Sequence, residues 1–410
     1  MADPKTTPIR TGALLLGLVL IPVNLHWLVP MEQFRKTGDP TCTSIFFNAV
    51  FTLLLLEALN ALVGRLAPRL ALNRLERLTI YSMVAAACGI ASRDFIQVAL
   101  PLWGYPIHHA TPENNWATKF LADIPAGLVV TDKEALRNYF QGHSTLYTER
   151  HLRAWATPVL YWSLFFTMIW GVMLSLDILI RQQWTDREKL SFPILQVPLE
   201  ITAPRNELWR KPTFWAGFTA AGLIDIINGV NKFVPQVPLL KVKMTNLQPF
   251  FTAGYLQKMG FTPISFFPFA IGLAYLLPTD LSFSCWFFYL FFKFQLAFFG
   301  WLGFDASMGF DGKQGSMPFV AEQGIGGYLA FGLFALWSAR QHLREVCHRA
   351  WHPRDPEDRL YRYALVGVAV GLVHWLLFSR YIGFSLGVAA AYFGLYFLVT
   401  TTITKIRAEL

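Results

Sequence analysis

Charge is what this sequence has little of. Asp, Glu, Lys and Arg together make 15% of its 410 residues, against about 25% in a soluble globular domain. That shortage, with 54% hydrophobic residues and a mean hydropathy of +0.38, excludes an ordinary soluble protein. Cysteine is nearly absent as well. Cys42, Cys88, Cys285 and Cys347 are scattered with no CxxC and no close pair, so neither a disulfide framework nor a zinc site follows. No HExxH, catalytic triad or paired metal-ligand spacing occurs, and Gly312-Lys313 lacks the GxxxxGK[ST] frame of a P-loop. The expectation is therefore a protein that is not an enzyme and holds no metal.

What is present is aromatic and apolar. Phe 36 and Trp 14 supply lipid-facing surface and interfacial belts. Lys5 and Arg10 precede the first apolar run, but that run is long for a signal peptide and has no small-residue cleavage site, so it reads as a spanning helix. The chain is expected to be one all-α membrane domain, 1–410, a polytopic bundle of about ten spans. These are Thr11–Pro30, Ser44–Val63, Leu78–Trp103, Ala154–Ile180, Phe214–Val230, Phe261–Pro278, Leu281–Leu302, Gly326–Ala339, Tyr363–Phe378 and Phe384–Ile403. The fifth, eighth and ninth are short and can instead be tilted, interfacial or re-entrant, and the long third and fourth can be kinked or overhang the membrane.

The net charge of +9 has to be read through this count. With a cytoplasmic N-terminus, 20 basic residues fall in inner segments and 13 in outer ones, and Arg93 and Lys293 lie within helices. The excess alternates loop by loop, as the positive-inside rule requires, so it reads as topology and not as a nucleic-acid surface. Both termini are then cytoplasmic. The loop 104–153 lies outside, ordered by a capping box of Thr131 and Glu134 that opens a short amphipathic helix, either as a lid or as an inert cap. Gly367/Gly371 and Gly383/Gly387 are GxxxG pairs, expected to pack the last two helices closely as a hairpin.

The cytoplasmic loop 181–213 holds the stretch Trp184–Glu200. Thr185 and Glu188 have capping-box spacing, and Pro193 is expected to stop the helix they open. Pro193, Pro198 and Pro204 make 191–204 too broken and too short to span, since crossing takes about 20 residues. Pro193 and Pro198 also bias Phe192 and Val197 to extended geometry. Either this segment dips into headgroups as an interfacial loop, or it re-enters the bundle and lines a substrate pocket, with Glu200 at its edge.

Ionisable groups inside spans are the other candidates for a substrate or ion pathway: Glu57, the adjacent Arg93 and Asp94, Asp225 and Lys293. Asp177 closes the fourth span, where snorkelling to the interface explains it. A structural ion-pair network accounts for such groups equally. His26 and His374 are the two histidines within spans, able to ligate haem or chlorophyll or to be hydrogen-bonded structural residues; no cofactor is otherwise predicted.

At Arg187-Glu188-Lys189-Leu190-Ser191-Phe192-Pro193 the chain resembles an uncharacterised bacterial polytopic membrane family, a domain of unknown function. Supporting segments are Thr111–Asn114, Gly142–Thr148, Asp280–Phe288 and Ile406–Leu410. Members of that family continue into further helices, so the resemblance implies an N-terminal part or a short member, in a bacterial inner membrane. More distantly, Lys189, Leu190, Phe192 and Pro193 are similar to the K-L-x-[FY]-P element of the oligopeptide transporter superfamily, which moves peptides or metal chelates with protons. Ile194, Leu195, Gln196, Val197 and Pro198 then stand where that superfamily has glycine and small residues. The resulting expectation is a transporter-like protein for an unknown small solute. The alternatives are a non-catalytic subunit of a larger, bioenergetic membrane complex and a haem- or chlorophyll-binding subunit. The partners expected are the lipid bilayer, a second copy or other membrane subunits.

Overall fold

A computed structural model describes residues 9–35, 39–43, 45–204, 207–304 and 317–409. Its N-terminal part packs α1 (Thr11–Val29), α2 (Phe47–Leu66) and α3 (Arg74–Ile90) on one another. Asn73 caps α3 through its side chain, and Glu76 returns the bond to the Asn73 N–H, each at 2.9 Å. The fully buried Glu76 also receives Nε and Nη2 of Arg10, both at 2.7 Å, which ties the start of α1 to the start of α3. At the opposite end Asn48 donates to Asn24 Oδ1 (2.7 Å) and to Cys88 Sγ (2.9 Å), and Asn24 donates to Thr52 Oγ1 (2.6 Å). Such side-chain bonds hold helices together where lipid offers no hydrophobic drive. α1 and α3 therefore run parallel and α2 antiparallel to both.

The third expected span does not form as one helix. After α3 the chain turns at Ala91–Phe95 and resumes as α4 (Ile96–Leu102). Arg93 and Asp94 sit in that turn and not inside a span. Arg93 Nη1 pairs with Asp39 Oδ1 at 2.6 Å, and Asp94 Oδ2 accepts from Cys42 Sγ at 3.5 Å. Partners on the neighbouring loop make a break cheaper than two adjacent charges in an apolar helix.

The loop beyond contains one-turn helices α5 (Tyr105–His108) and α6 (Trp116–Lys119), then α7 (Lys133–Gln141). Asp132, and not Thr131, caps α7, accepting from the N–H groups of Glu134 (3.0 Å) and Ala135 (2.9 Å). The loop clamps onto α8 (Glu149–Gln182): Trp103 stacks on Trp162, whose Nε1 donates to Leu128 O at 2.9 Å, over a core of Trp103, Val130, Leu136 and Trp155.

α8 runs on through a π-helical turn, Gln183–Arg187. Thr185 starts no new helix, because its hydroxyl donates back to Arg181 O at 3.1 Å. Pro193 likewise begins a helix instead of ending one: α9 spans Pro193–Ile201, with proline at the first position, where no N–H is needed. The expectation of broken backbone holds only for the flanks. Phe192 is left-handed (φ 44°, ψ 56°) and not extended, and Val197 is helical.

Then follow α10 (Glu207–Arg210), α11 (Pro212–Asn231), a two-strand antiparallel pair of β1 (Thr245–Asn246) with β2 (Pro263–Ile264), α12 (Gly254–Gln257), α13 (Pro268–Tyr275) and α14 (Thr279–Trp301). The sixth expected span, Phe261–Pro278, reduces to β2 and the eight-residue α13, cut by Pro263, Pro268 and Pro278.

The C-terminal part is α15 (Val320–Trp351), α16 (Pro356–Tyr381) and α17 (Leu386–Glu409). α16 packs antiparallel on α8 from Leu179 and Tyr361 to the stacked Tyr161 and Tyr381. Gly367 and Gly371 make this contact: a Cβ at either would overlap Ser175 Oγ or Val172 Cγ2. That glycine pair serves α8 and not the α16–α17 hairpin, and Gly383 and Gly387 face open space.

α15 takes in the eighth expected span and is not among the described helices long and apolar enough to cross a membrane. Near its start, Thr402 Oγ1 donates to Tyr328 O (3.3 Å) and Lys405 Nζ sits 5.6 Å from the Phe331 ring. Near its end, Arg349 pairs with Asp358 at 2.7 Å. The last turns of α17 and the first of α16 form one end of an antiparallel hairpin, so both ends of α15 touch the same end of the bundle. Residues 328–349 extend about 31 Å as a helix, as much as the roughly 30 Å hydrocarbon core. α15 therefore lies across the end of the bundle.

Seven helices among the described residues are long and apolar enough to cross a membrane, against the ten expected: Thr11–Phe34, Phe47–Leu66, Glu149–Arg187, Pro212–Asn231, Thr279–Trp301, Pro356–Tyr381 and Leu386–Glu409.

Candidate functional site

The stretch Trp184–Glu200 is the joint between the two helix groups. α9 buries Pro193, Pro198 and Ile201 against α2, α3 and α17, and Arg74 Nη2 reaches Leu199 O at 3.0 Å. The Phe192 N–H donates to Ala408 O at 2.8 Å, Glu188 pairs with Lys405 at 2.7 Å, and Arg187 pairs with Glu345 at 2.6 Å. Leu190 N–H returns to Trp184 O (3.0 Å), while Lys189 is exposed. Lys189 and Phe192 both have positive φ, 54° and 44°. Left-handed non-glycine residues cost about 1–3 kcal/mol each and persist only where packing over-determines them, frequently at functional sites.

Beside this joint a cleft of about 720 Å³ opens between α8, α9 and α17. Asp177 and Arg181 of α8 and Trp184 of the π-helical turn that continues it line the cleft at helical spacing; Thr404, Arg407 and Ala408 do so from α17. α9 and its approach give Ser191, Phe192, Leu195 and Gln196. Arg181 is paired with Glu357 at 3.0 Å. Asp177 and Arg407 have no ion-pair or side-chain hydrogen-bond partner among the described residues. An apolar-walled cleft with one acid and one cation unspent can bind a polar or charged solute.

A second groove, about 780 Å³ between α1 and α2, has its polar groups already occupied: Arg10 by Glu76, Asn24 by Thr52, and Asn60 by the backbone of Leu72 (2.7 and 3.1 Å).

The pathway candidates are not gathered into one site. Glu57, 8% exposed, pairs with Arg77, and its Oε1 has no partner among the described residues. Lys293, 3% exposed, donates to Met259 O (2.9 Å) and Phe261 O (2.7 Å), fastening α14 to the loop before it. Asp225 is exposed on α11 with no side-chain partner among the described residues, while Asn228 brackets Leu240 at 2.8 and 3.0 Å. Glu200 is exposed and lines neither cavity. His26 is exposed on α1, and His374 is half-buried on α16, which packs with α8, α15 and α17; the two are on different helix groups. Asp177, set aside in the sequence as an interfacial residue, is the acid that reaches the cleft. Its spacing to Arg181 and Trp184 was the available signal.

An all-α chain with seven such helices, cut by a short proline-started helix that seats a cleft, defines a multi-pass membrane protein. It belongs to a family of unknown function (DUF6785), whose profile matches residues 3–410. No curated protein and no solved structure matches the chain.

Proposed function

We propose that this protein is a carrier for a small polar solute, and that the solute binds in the cleft between α8, α9 and α17. The observation that carries the reading is the unpaired Asp177 of α8 and Arg407 of α17, both lining a cleft that the strained Phe192–Pro193 turn also lines. Short helices with broken flanks at such a joint are where carriers bind substrate. A carboxylate with no fixed partner can also exchange a proton, which suits proton coupling.

We further propose that the basic end of the bundle faces the cytoplasm of a bacterial inner membrane, with both termini there. In support, Arg10 and Arg407 are brought to one end through α3, α9 and α17, which requires an even number of crossings. The 17-residue α3, running beside α1, supplies the eighth.

The test is a comparison of small molecules in cells with and without the protein, followed by uptake into proteoliposomes of whichever solute changes. Asp177→Asn and Arg407→Gln are expected to cut that flux at least tenfold at unchanged membrane abundance. Full flux in both variants would overturn the assignment of the cleft.

A second reading has one observation in its favour. Among the described residues α11 and α13 bury nothing, and α14 exposes Phe283, Trp286, Phe288 and Phe291, as a subunit of a larger membrane assembly would. Purification as a stable complex with other membrane chains, without flux, would favour it.

A further inference from the structure

We infer that the outward face of α15 is a seat for the headgroups of anionic phospholipids. The inference does not depend on the carrier reading. α15 buries a single stripe, Gly332, Ala335, Ala339, His342, Val346 and Ala350, against the bundle. Directly opposite runs a second stripe, Leu333, Trp337, Arg340, Arg344, His348 and Trp351, all exposed. Apolar, aromatic and basic side chains thus share one face of a helix that lies flat.

Depth decides what covers that face. His342 Nε2 contacts Leu179 O at 2.9 Å, one residue before the apolar run of α8 gives way at Ile180 to Arg181. α15 is therefore level with the boundary between hydrocarbon and water, the depth at which tryptophan rings settle and arginine meets phosphate. Arg340 is already held for this role: its guanidinium carbon lies 4.4 Å from the Trp337 ring and Nη1 donates to Trp337 O at 2.8 Å. Arg344 has no acidic partner among the described residues, because the adjacent Glu345 is taken by Arg187. Guanidinium groups that lack an acidic partner among the described residues and are flanked by tryptophan at the boundary match a phosphate diester in charge and in hydrogen-bonding geometry. A zwitterionic headgroup offers the same phosphate with its charge cancelled, so the seat is selective for anionic lipid.

The experiment uses the whole chain, delipidated in detergent and titrated with phosphatidylglycerol or phosphatidylcholine, with bound lipid counted by native mass spectrometry. Wild type is expected to bind phosphatidylglycerol at least tenfold more tightly than phosphatidylcholine. The double variant Arg340→Gln/Arg344→Gln should lose that preference, and Trp337→Ala should weaken it severalfold with all charges intact. Arg65→Gln/Arg69→Gln removes the same charge elsewhere at the same end and should keep it. Equal binding of the two lipids by wild type overturns the proposal. So does a preference retained by the α15 double variant or lost equally in the control. A wild type that retains neither lipid would leave the face to a soluble protein and overturns it too.

Discussion

At the scale of single residues, several charges in this protein are paired across long sequence distances, and their cost appears when one partner goes. Glu57 and Arg77 form a mostly buried pair between α2 and α3. Arg77→Met leaves a carboxylate stranded, and breaking such pairs costs about 3–5 kcal/mol. The double variant Glu57→Gln/Arg77→Met should recover most of that. Unfolding in mixed detergent micelles would measure both, and a double variant no better than the single would refute a purely paired role. Asp132 gives a pH-dependent counterpart outside the membrane. Arg150 hydrogen-bonds it at 2.8 and 3.1 Å, and with the α7 N–H groups this holds its pKa down to about 2. A depressed acid stabilises the folded state above its unfolded pKa of about 4 and loses that contribution as pH falls through the folded value. α7 should therefore loosen between about pH 4 and 2. Amide exchange in α7 reads this, and Arg150→Gln should move the loss upward in pH.

At the scale of elements, close approach of α8 and α16 is the most size-sensitive contact. Gly371→Val places a branched side chain into Val172, and overpacking costs about 1–3 kcal/mol or more. Gly387→Ala meets open space and should be neutral or slightly stabilising. Thermal unfolding of the two variants tests the assignment; equal effects would show that the α8–α16 seam is not the tight one. The same seam explains why the GxxxG reading found one tightly packed pair, Gly367 and Gly371, but gave it the wrong partner. Spacing tells which face of a helix is small, whereas the helix that takes that face is set by the whole packing.

At the scale of the whole molecule, the proposed topology puts position 141 and position 352 on opposite sides. In a variant with Cys42, Cys285 and Cys347 replaced by serine, a cysteine at Gln141 should react with an impermeant thiol reagent from outside intact cells. One at His352 should react only after the cells are opened. Cys88, buried beside Asn48, stays silent. Labelling of both from outside would break the arrangement, and labelling of position 352 alone would invert it.

Composition and apolar run length by themselves determined that this is an all-α membrane protein and where seven of its long helices lie. Those follow from local chemistry, since a run of apolar residues must leave water whatever its neighbours are. Only the tertiary structure decided that Gly326–Ala339 belongs to a helix lying flat, that Pro193 opens a helix, and that Asp177 and not Glu200 reaches the cleft. Hydropathy reports whether a segment prefers lipid, but not its direction. Direction came from Lys405 with Glu188, Arg187 with Glu345 and Arg349 with Asp358, pairs that tie the ends of α8, α15, α16 and α17 to one level. A charge on a helix is costly or cheap according to the partner that the fold brings to it, and that partner is not written in the neighbouring sequence.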